Sequence, residues 1–438
     1  MKYTRSIMSY NRLSMCLVWS LLTTFAILSN SQALGTNISQ PIICTTAKGF
    51  DKENFIALIG DRLLTKPEFN YYWGISEEDK KYMLELKSII KKYKLNIITL
   101  PIPYQAALYV NPSNNPAIGK YDPSQANKFY QAQVQNLRDN SLNPIDLSEV
   151  AKRLPKGTEF FAKRDHHWTG PTMEIVAGEV KRLINKLNLG IDRSSQTSLT
   201  RSVRDYNGSA ADQLKSVCGY SYSSQEKRIF YDLSIKSPET LLGSANNEVV
   251  MVGDSYSISY FGFDKILSDQ LKSPILNMSI NGGGCCAAIN SYFANLKPND
   301  NKPKVIIWTA LMVLTNTNQI REMKPSIYQA YENASPLKGI DSNMSKLNVY
   351  QFNTILDKNA RYFIKLDIDG PKTENINFNL NYKTSTEDIS LSRTNESQSV
   401  KYVTPFFYEL KPGQDIFTSL KIKSQTPGNI TVSLFKYK

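Results

Sequence analysis

Histidine is what this chain has least of: 438 residues hold only two, His166 and His167, side by side. An acid–base catalyst near neutral pH is most often an imidazole, whose unperturbed pKa is roughly 6.5. Histidine chemistry is therefore confined to the stretch Phe160-Phe161-Ala162-Lys163-Arg164-Asp165-His166-His167-Trp168-Thr169-Gly170. Cysteine is nearly as scarce, at five. No Cys or His spacing resembles a zinc site, so neither a metal nor a cofactor is called for. Acidic residues are outnumbered, 39 against 52 Lys and Arg, for a formal charge of +13. Such a balance suits an acidic polysaccharide, a nucleic acid or a membrane surface. The lysines are spread without a dense basic block, so plain solubility explains the charge equally well. Beyond the first few dozen residues no segment is apolar for long enough to cross a bilayer.

Asp165 lies two residues before His167, so in an extended segment both side chains leave one face and the carboxylate can fix the imidazole tautomer. His166 points the other way. A polar turn with two solvated histidines would look the same, and the pair gains meaning only with a nucleophile. One candidate is Ser255, in Asn247-Glu248-Val249-Val250-Met251-Val252-Gly253-Asp254-Ser255-Tyr256-Ser257. The apolar run Val249 to Val252 reads as a buried parallel strand. Open α/β sheets place their chemistry at the carboxyl ends of such strands, where backbone N–H groups can face a reacting carbonyl. A tight turn or an aspartate cap is the structural alternative for Gly-Asp-Ser.

Together the two stretches resemble the SGNH (GDSL-type) acyl-transfer fold, and more narrowly the alginate O-acetyltransferases of the AlgX and AlgJ type. Ordinary SGNH esterases carry the serine first and Asp-x-x-His near the carboxyl end. Here Asp-x-His-Trp-Thr precedes Gly-Asp-Ser, as in the acetyltransferase branch, and the resemblance covers roughly residues 44 to 330. It implies an α/β domain with an SGNH hydrolase-like parallel sheet, flanking helices and permuted motif order, with Ser255, His167 and Asp165 as catalytic triad. It also implies an oxyanion N–H from Gly283 or Gly284, beside that of Ser255. The strand Lys304 to Ala310 departs from the hydrolase pattern, because no asparagine follows it directly, only Asn316 and Asn318 further on. Tyr260 is a speculative substitute donor. Tyr104, Arg164 and Trp168 are candidate substrate contacts.

Residues 1–33 read as a secretory signal peptide: Lys2, Arg5 and Arg12 come first, then an apolar segment from Leu13 to Leu28, then Ser31-Gln32-Ala33. An uncleaved anchor is the rival reading, and Cys16 lies within the apolar region behind Met15, which argues against lipidation. An export signal makes nucleic acid the poorest partner and permits disulfides. The remaining Cys44, Cys218, Cys285 and Cys286 pair in three possible ways. The family resemblance favours Cys44 with Cys218. Adjacent Cys285 and Cys286 are expected as two buried thiols, since joining them closes a strained ring.

Between the motifs, Phe55 to Leu64 reads as a first strand and turn, Glu77 to Tyr93 as an amphipathic helix on the sheet, and Leu95 to Leu100 as a strand broken by Pro101 and Pro103. Residues 111–123 read as a surface loop, Ser124 to Leu137 as a helix, and Thr169-Gly170-Pro171-Thr172 as the cap of a helix to Leu187. Ile191 to Ile235 is expected to be irregular or partly β and to border a groove. Pro274 to Ile280 is a strand ending in Asn281-Gly282-Gly283-Gly284, where backbone can approach a ligand closely.

Residues 34–340 are thus expected as the acetyltransferase-like domain and 345–438 as a small all-β sandwich. Alternating runs such as Tyr362 to Ile368, Ile376 to Tyr382 and Ile430 to Tyr437 have period two. The AlgX type ends in a carbohydrate-binding module, and this segment is similar in placement and β character. The leading expectation is an exported, periplasmic polysaccharide O-acetyltransferase acting on an anionic, uronate-rich polymer such as alginate. By resemblance, a membrane-bound acyltransferase and periplasmic companions relay the acetyl group. The alternatives are an acetyl-polysaccharide esterase with the same residues, and a non-catalytic polysaccharide-binding or assembly protein on an SGNH-like scaffold.

Overall fold

The computed structural model describes residues 56–69, 77–111, 121–236, 247–311, 317–332, 334–337, 349–369, 375–392, 405–413, 416–423 and 429–437. The signal peptide read at 1–33, Cys44, most of the loop read at 111–123, and Asn316 lie outside these residues. In chain order the elements are β1 (Ile56–Ile59), β2 (Arg62–Thr65), α1 (Glu77–Lys92), β3 (Ile97–Ile102), α2 (Gln105–Tyr109), α3 (Pro123–Asp139), α4 (Leu147–Lys152) and α5 (Gly170–Lys186). They continue with β4 (Gln196–Tyr206), α6 (Ser209–Cys218), β5 (Glu226–Lys236), β6 (Val249–Gly253), α7 (Phe263–Leu271), β7 (Ile275–Asn277), α8 (Ala287–Asn295), β8 (Val305–Leu311) and α9 (Thr317–Glu332).

A four-stranded parallel sheet, in the order β3-β8-β6-β7, organises the α/β part. Strand alternation divides its apolar residues between two layers. Val250 and Val252 pack with Ile306 and Trp308 against α1, α8 and α9, while Val249 and Met251 pack with Val305 and Ile307 against α5 and α7. Burial on both faces is why β6 reads as one continuous apolar run. The helix starts follow local capping chemistry. Thr169 accepts from the Thr172 amide at α5, and Asp122 and Asp146 cap α3 and α4.

Two segments hold more structure than their reading gave. The stretch expected as a first strand and turn is that strand and turn continued into a hairpin, β1 with β2, turned at Gly60, whose φ of +65° favours glycine. Ile191 to Ile235, expected to be irregular or partly β, is partly β: it holds an antiparallel ribbon of two 11-residue strands, β4 and β5, in register from Gln196↔Lys236 to Tyr206↔Glu226. β4 is largely solvent-exposed and polar, so it carries no hydrophobic alternation.

Seven strands follow: β9 (Val349–Ile355), β10 (Arg361–Asp369), β11 (Asn375–Tyr382), β12 (Thr386–Ser392), β13 (Phe406–Glu409), β14 (Ile416–Ile422) and β15 (Asn429–Tyr437). They form antiparallel sheets of order β12-β11-β14-β9 and β13-β10-β15 around one core that includes Ile364, Leu366, Phe378, Leu380, Leu420 and Val432. This is the sandwich that the period-two runs imply.

Helix α9 carries the seam between the two parts. Lys324, its side chain 1% exposed, pairs with Glu85 of α1 and Glu409 of β13. Arg321 forks onto Glu387 of β12 at 3.0 and 3.1 Å and donates to the Glu409 carbonyl at 3.0 and 2.7 Å. Arg361 of β10 also pairs with Glu85.

Candidate active site

The Asp-His-His loop is a tight, backbone-bonded excursion. Phe161 and Trp168 form a β-bridge, the Ala162 amide donates to the His167 carbonyl at 3.1 Å, and the Thr169 amide to the Phe160 carbonyl at 3.0 Å. Asp165 and His167 therefore leave on the inner side, both buried. Asp165 Oδ1 accepts from His167 Nδ1 at 2.7 Å, from the His167 amide at 3.2 Å and from Ser209 Oγ at 2.7 Å. Its Oδ2 accepts from Arg228 Nη1 at 2.8 Å. Gln105 Nε2 donates to the Asp165 carbonyl at 2.7 Å, and Arg62 holds Gln105 in turn at 2.8 Å.

Burial alone would raise the Asp165 pKa, but His167, Arg228 and His166 outweigh it and hold the carboxyl well below the usual carboxylate range. With Nδ1 held by a carboxylate, His167 presents Nε2 as the acceptor, the tautomer that a general base needs. His166 sits on the same loop with its Nδ1 2.7 Å from Ser209 Oγ. Burial and then the neighbouring His167 push its pKa down to about 3, so its ring is neutral at physiological pH.

The second half of the site is built at the end of β6. Asp254 caps the 3-10 turn Ser255–Ser257, accepting from the Tyr256 amide at 3.1 Å through its side chain and from the Ser257 amide at 3.1 Å through its carbonyl. Ser257 Oγ reaches Ser279 Oγ at 2.8 Å and also Thr309 Oγ1. Gly253 admits that crossing: a Cβ there would lie 2.0 Å from Thr309 Oγ1 and 2.3 Å from the Thr309 carbonyl oxygen. Gly253→Ala is expected to force the turn off the sheet and lower stability by about 3 kcal/mol through overpacking. The midpoint of urea unfolding measures this, and an unchanged midpoint would refute it.

Tyr256 joins the halves. Its hydroxyl donates to the His166 carbonyl at 2.9 Å, and its ring lies 5.1 Å from the His167 ring, which also stacks 4.4 Å from Phe261. His167 Nε2 is buried and without a partner. Ser255, half-buried at the head of the same turn, makes no hydrogen bond with the described residues. Thus Tyr256 brings Asp165, His167 and the Ser255 turn to one place.

The other expected site residues fare unevenly. The Gly283 amide donates to the Ile280 carbonyl at 3.1 Å, whereas Gly284 lies in the left-handed region with φ +59°. Tyr260 is 58% exposed, its ring against Phe230 and Phe261. Trp168 is wholly buried against Tyr256 and Phe263, so it supports the wall and does not face a substrate. Arg164 is half-exposed, stacked 3.7 Å from the Tyr222 ring and bonded to the Ser224 carbonyl at 2.6 Å. Tyr104, half-buried, caps α2 at the carboxyl end of β3. Asn318 accepts from Tyr408 Oη at 2.6 Å and belongs to the sandwich seam.

Cys285 and Cys286, expected as two thiols, are joined in a disulfide. Both are buried at the start of α8, where the Trp308 indole donates to the Cys285 carbonyl at 2.6 Å. Cys218 closes α6, and its expected partner Cys44 is outside the described residues.

Arg228, Ser209, Gln105 and Glu68 escaped the sequence reading. Each comes from an element remote from the motif, with no local signature. Glu68 is buried just after β2, and burial, against the Thr65 amide and Arg62, pushes its pKa up to about 8. Ligand atoms of Asp165, His166 and His167 lie within 4.8 Å of one another, a spacing that a metal ion would tolerate. The Arg228 cation on Asp165 and the His167 hydrogen bond already occupy the carboxylate, and both oppose a dication there.

Residues 74–310 match the family model of the SGNH hydrolase-like domain of the acetyltransferase AlgX. The chain is 23% identical over 274 residues to the alginate biosynthesis protein AlgX of Pseudomonas putida, covering 59% of this chain and 56% of that protein. With AlgX of Pseudomonas fluorescens the identity is 22% over 396 residues, covering 83% and 78%. The first match thus spans little more than half of that relative's length. Among solved structures, AlgX of Pseudomonas aeruginosa aligns with a TM-score of 0.71 at 18% identity, covering 88% of this chain and 95% of that one. At that identity the likeness is one of fold.

Proposed function

The chain belongs to the family of SGNH hydrolase-like acetyltransferase domains of the AlgX type, and from that premise we propose that it is an exported polysaccharide O-acetyltransferase. Ser255 Oγ attacks the carbonyl of an acetyl donor while His167 Nε2 takes its proton. The Asp165 carboxylate holds Nδ1–H and stabilises the imidazolium. The amides of Ser255 and Gly284 receive the developing oxyanion. His167 returns the proton to the leaving group, and an acetyl-serine remains. A sugar hydroxyl then attacks that ester, His167 takes the hydroxyl proton and passes it to Ser255 Oγ, and the acetyl group leaves on the polymer. The relatives' names point to alginate as acceptor, and the formal charge of +13 agrees with a uronate polymer. The setting is periplasmic, and a membrane-bound acyltransferase with periplasmic companions supplies the acetyl group. The sandwich serves as a carbohydrate-binding module.

The observation that carries this reading is the buried, unpartnered Nε2 of His167, with Nδ1 committed to Asp165, next to the Ser255 turn. A buried polar atom left unsatisfied costs about 1–3 kcal/mol, which a site recovers when the missing partner arrives. Intact mass spectrometry after exposure to a chromogenic acetyl ester tests it, beside Ser255→Ala, with and without oligouronates. One acetyl group, absent from Ser255→Ala and passing to the sugar, is the expected result. Acetate release indifferent to sugar would make the protein an esterase, and no labelling with oligouronate still bound would make it a binding protein.

A further inference from the structure

Asp165 is wholly buried, yet its two oxygens are treated differently. Oδ1 takes three donors, from the His167 ring, the His167 amide and Ser209, while Oδ2 takes the guanidinium of Arg228. Arg228 is itself buried, its side chain 4% exposed. Its Nη2 donates to the Trp168 carbonyl at 3.0 Å, on the far strand of the histidine loop. Its planar cation lies 4.1 Å from the Phe261 ring and 5.0 Å from the Tyr206 ring. Phe261 also stacks on His167, so the guanidinium and the imidazole share one aromatic wall. Arg228 enters from β5, near the end of the ribbon that lies between the two catalytic motifs in sequence.

We infer that Arg228 is a positioning residue for the Asp165–His167 pair, clamping the carboxylate by its second oxygen and the loop by its Trp168 carbonyl so that the first oxygen is aimed at His167 Nδ1. The inference rests on the proposed acyl-transfer reading for its meaning, though not for its geometry. A buried carboxylate with one bare oxygen would rotate, or would take up a proton. The guanidinium fork prevents both, because its N–H groups are fixed in one plane and reach two acceptors at once.

The other titratable groups facing this pair are His166 on the same loop, Tyr206 at the end of β4, Tyr256 beside Ser255, and Glu68, which Arg62 faces in turn. None of these brings a permanent cation to Asp165. Arg228→Gln is therefore expected to lose the downfield Nδ1–H resonance that the Asp165–His167 hydrogen bond gives in the parent protein, and Arg228→Lys to keep it. Two histidines make the imidazole NMR spectrum of the full chain directly assignable with His166→Gln as reference. Ser255 acetylation should slow in Arg228→Gln and recover in Arg228→Lys, with the amount of bound donor unchanged. An undisturbed Nδ1–H resonance in folded Arg228→Gln would overturn the inference. If that variant does not fold, the double variant Asp165→Asn/Arg228→Gln decides. Recovery of the folded chain shows that the lost element was charge pairing, whereas failure to recover assigns Arg228 to packing and ends the proposal. Absence of acetyl labelling in the parent protein would count against the acyl-transfer reading alone, because the NMR measurement stands without it.

Discussion

Asp165→Asn is expected to lower acetyl transfer about 10⁴-fold, the loss seen when a triad carboxylate is exchanged for an amide that favours the wrong imidazole tautomer. An exposed triad would lose only rate. Here the same change also strands Arg228, which is 4% exposed and has its strongest partner in Asp165 Oδ2 at 2.8 Å. Breaking a buried pair from one side typically costs about 3–5 kcal/mol, because the remaining charge has neither water nor partner. Transfer rate and denaturation midpoint should therefore fall together. A full-rate Asp165→Asn protein would refute the triad assignment, and an inactive but fully stable one would refute the pairing. Because the native carboxyl is held well below its ordinary range, its contribution to stability is complete above its unfolded value, near pH 4, and disappears only as the pH falls through the lower folded value.

Lys324→Met is expected to lower stability by about 3 kcal/mol, among the largest effects of any single change outside the site. Lys324 stands between Glu85 and Glu409, and the Glu409 side chain is 0% exposed. Without the ammonium, Glu409 keeps the Tyr437 hydroxyl and, at 3.9 Å, an Arg361 nitrogen. That leaves a dry carboxylate short of its main counter-charge. Adding Glu409→Gln to Lys324→Met should recover much of the loss, since two neutral groups of similar volume replace a broken pair. Urea titrations of the single and double variants measure the coupling, and strictly additive losses would show that Lys324 acts by packing alone.

The buried strands of the parallel sheet were legible because each is an apolar run bounded by Gly, Pro or Asn, as β6 and β8 are. The sandwich was legible from its alternation. The β4–β5 ribbon was legible only as partly β, since its outward face is solvated and its register depends on cross-strand pairs with no imprint on either strand alone. The motif residues Asp165 and His167 were readable from their spacing. The same spacing, carried one residue further, places Trp168 on the opposite side of the loop, and its bridge with Phe161 turns it into the core rather than toward a groove. Arg228 lies more than sixty positions downstream of its carboxylate, and only folding joins them. Gly283 and Gly284 were not separable for a related reason: a glycine run signals a close backbone approach, but which amide is engaged in a turn depends on the turn itself.

The charged seam along α9 also bears on how the protein responds to its medium. Salt screens exposed charges over a Debye length of about 8 Å at physiological ionic strength, but it does not enter a contact that excludes water. Arg321, Lys324 and Glu409 are 3% exposed or less, whereas Lys92 and Glu332 at the rim are 50% and 37% exposed. The rim pair should fade in brine while the seam holds. Attraction between the basic surface and a polyanion should fade as well. The sandwich then stays fixed to the α/β part at ionic strengths that screen its exposed charges, so salt acts on the outer surface without loosening the scaffold.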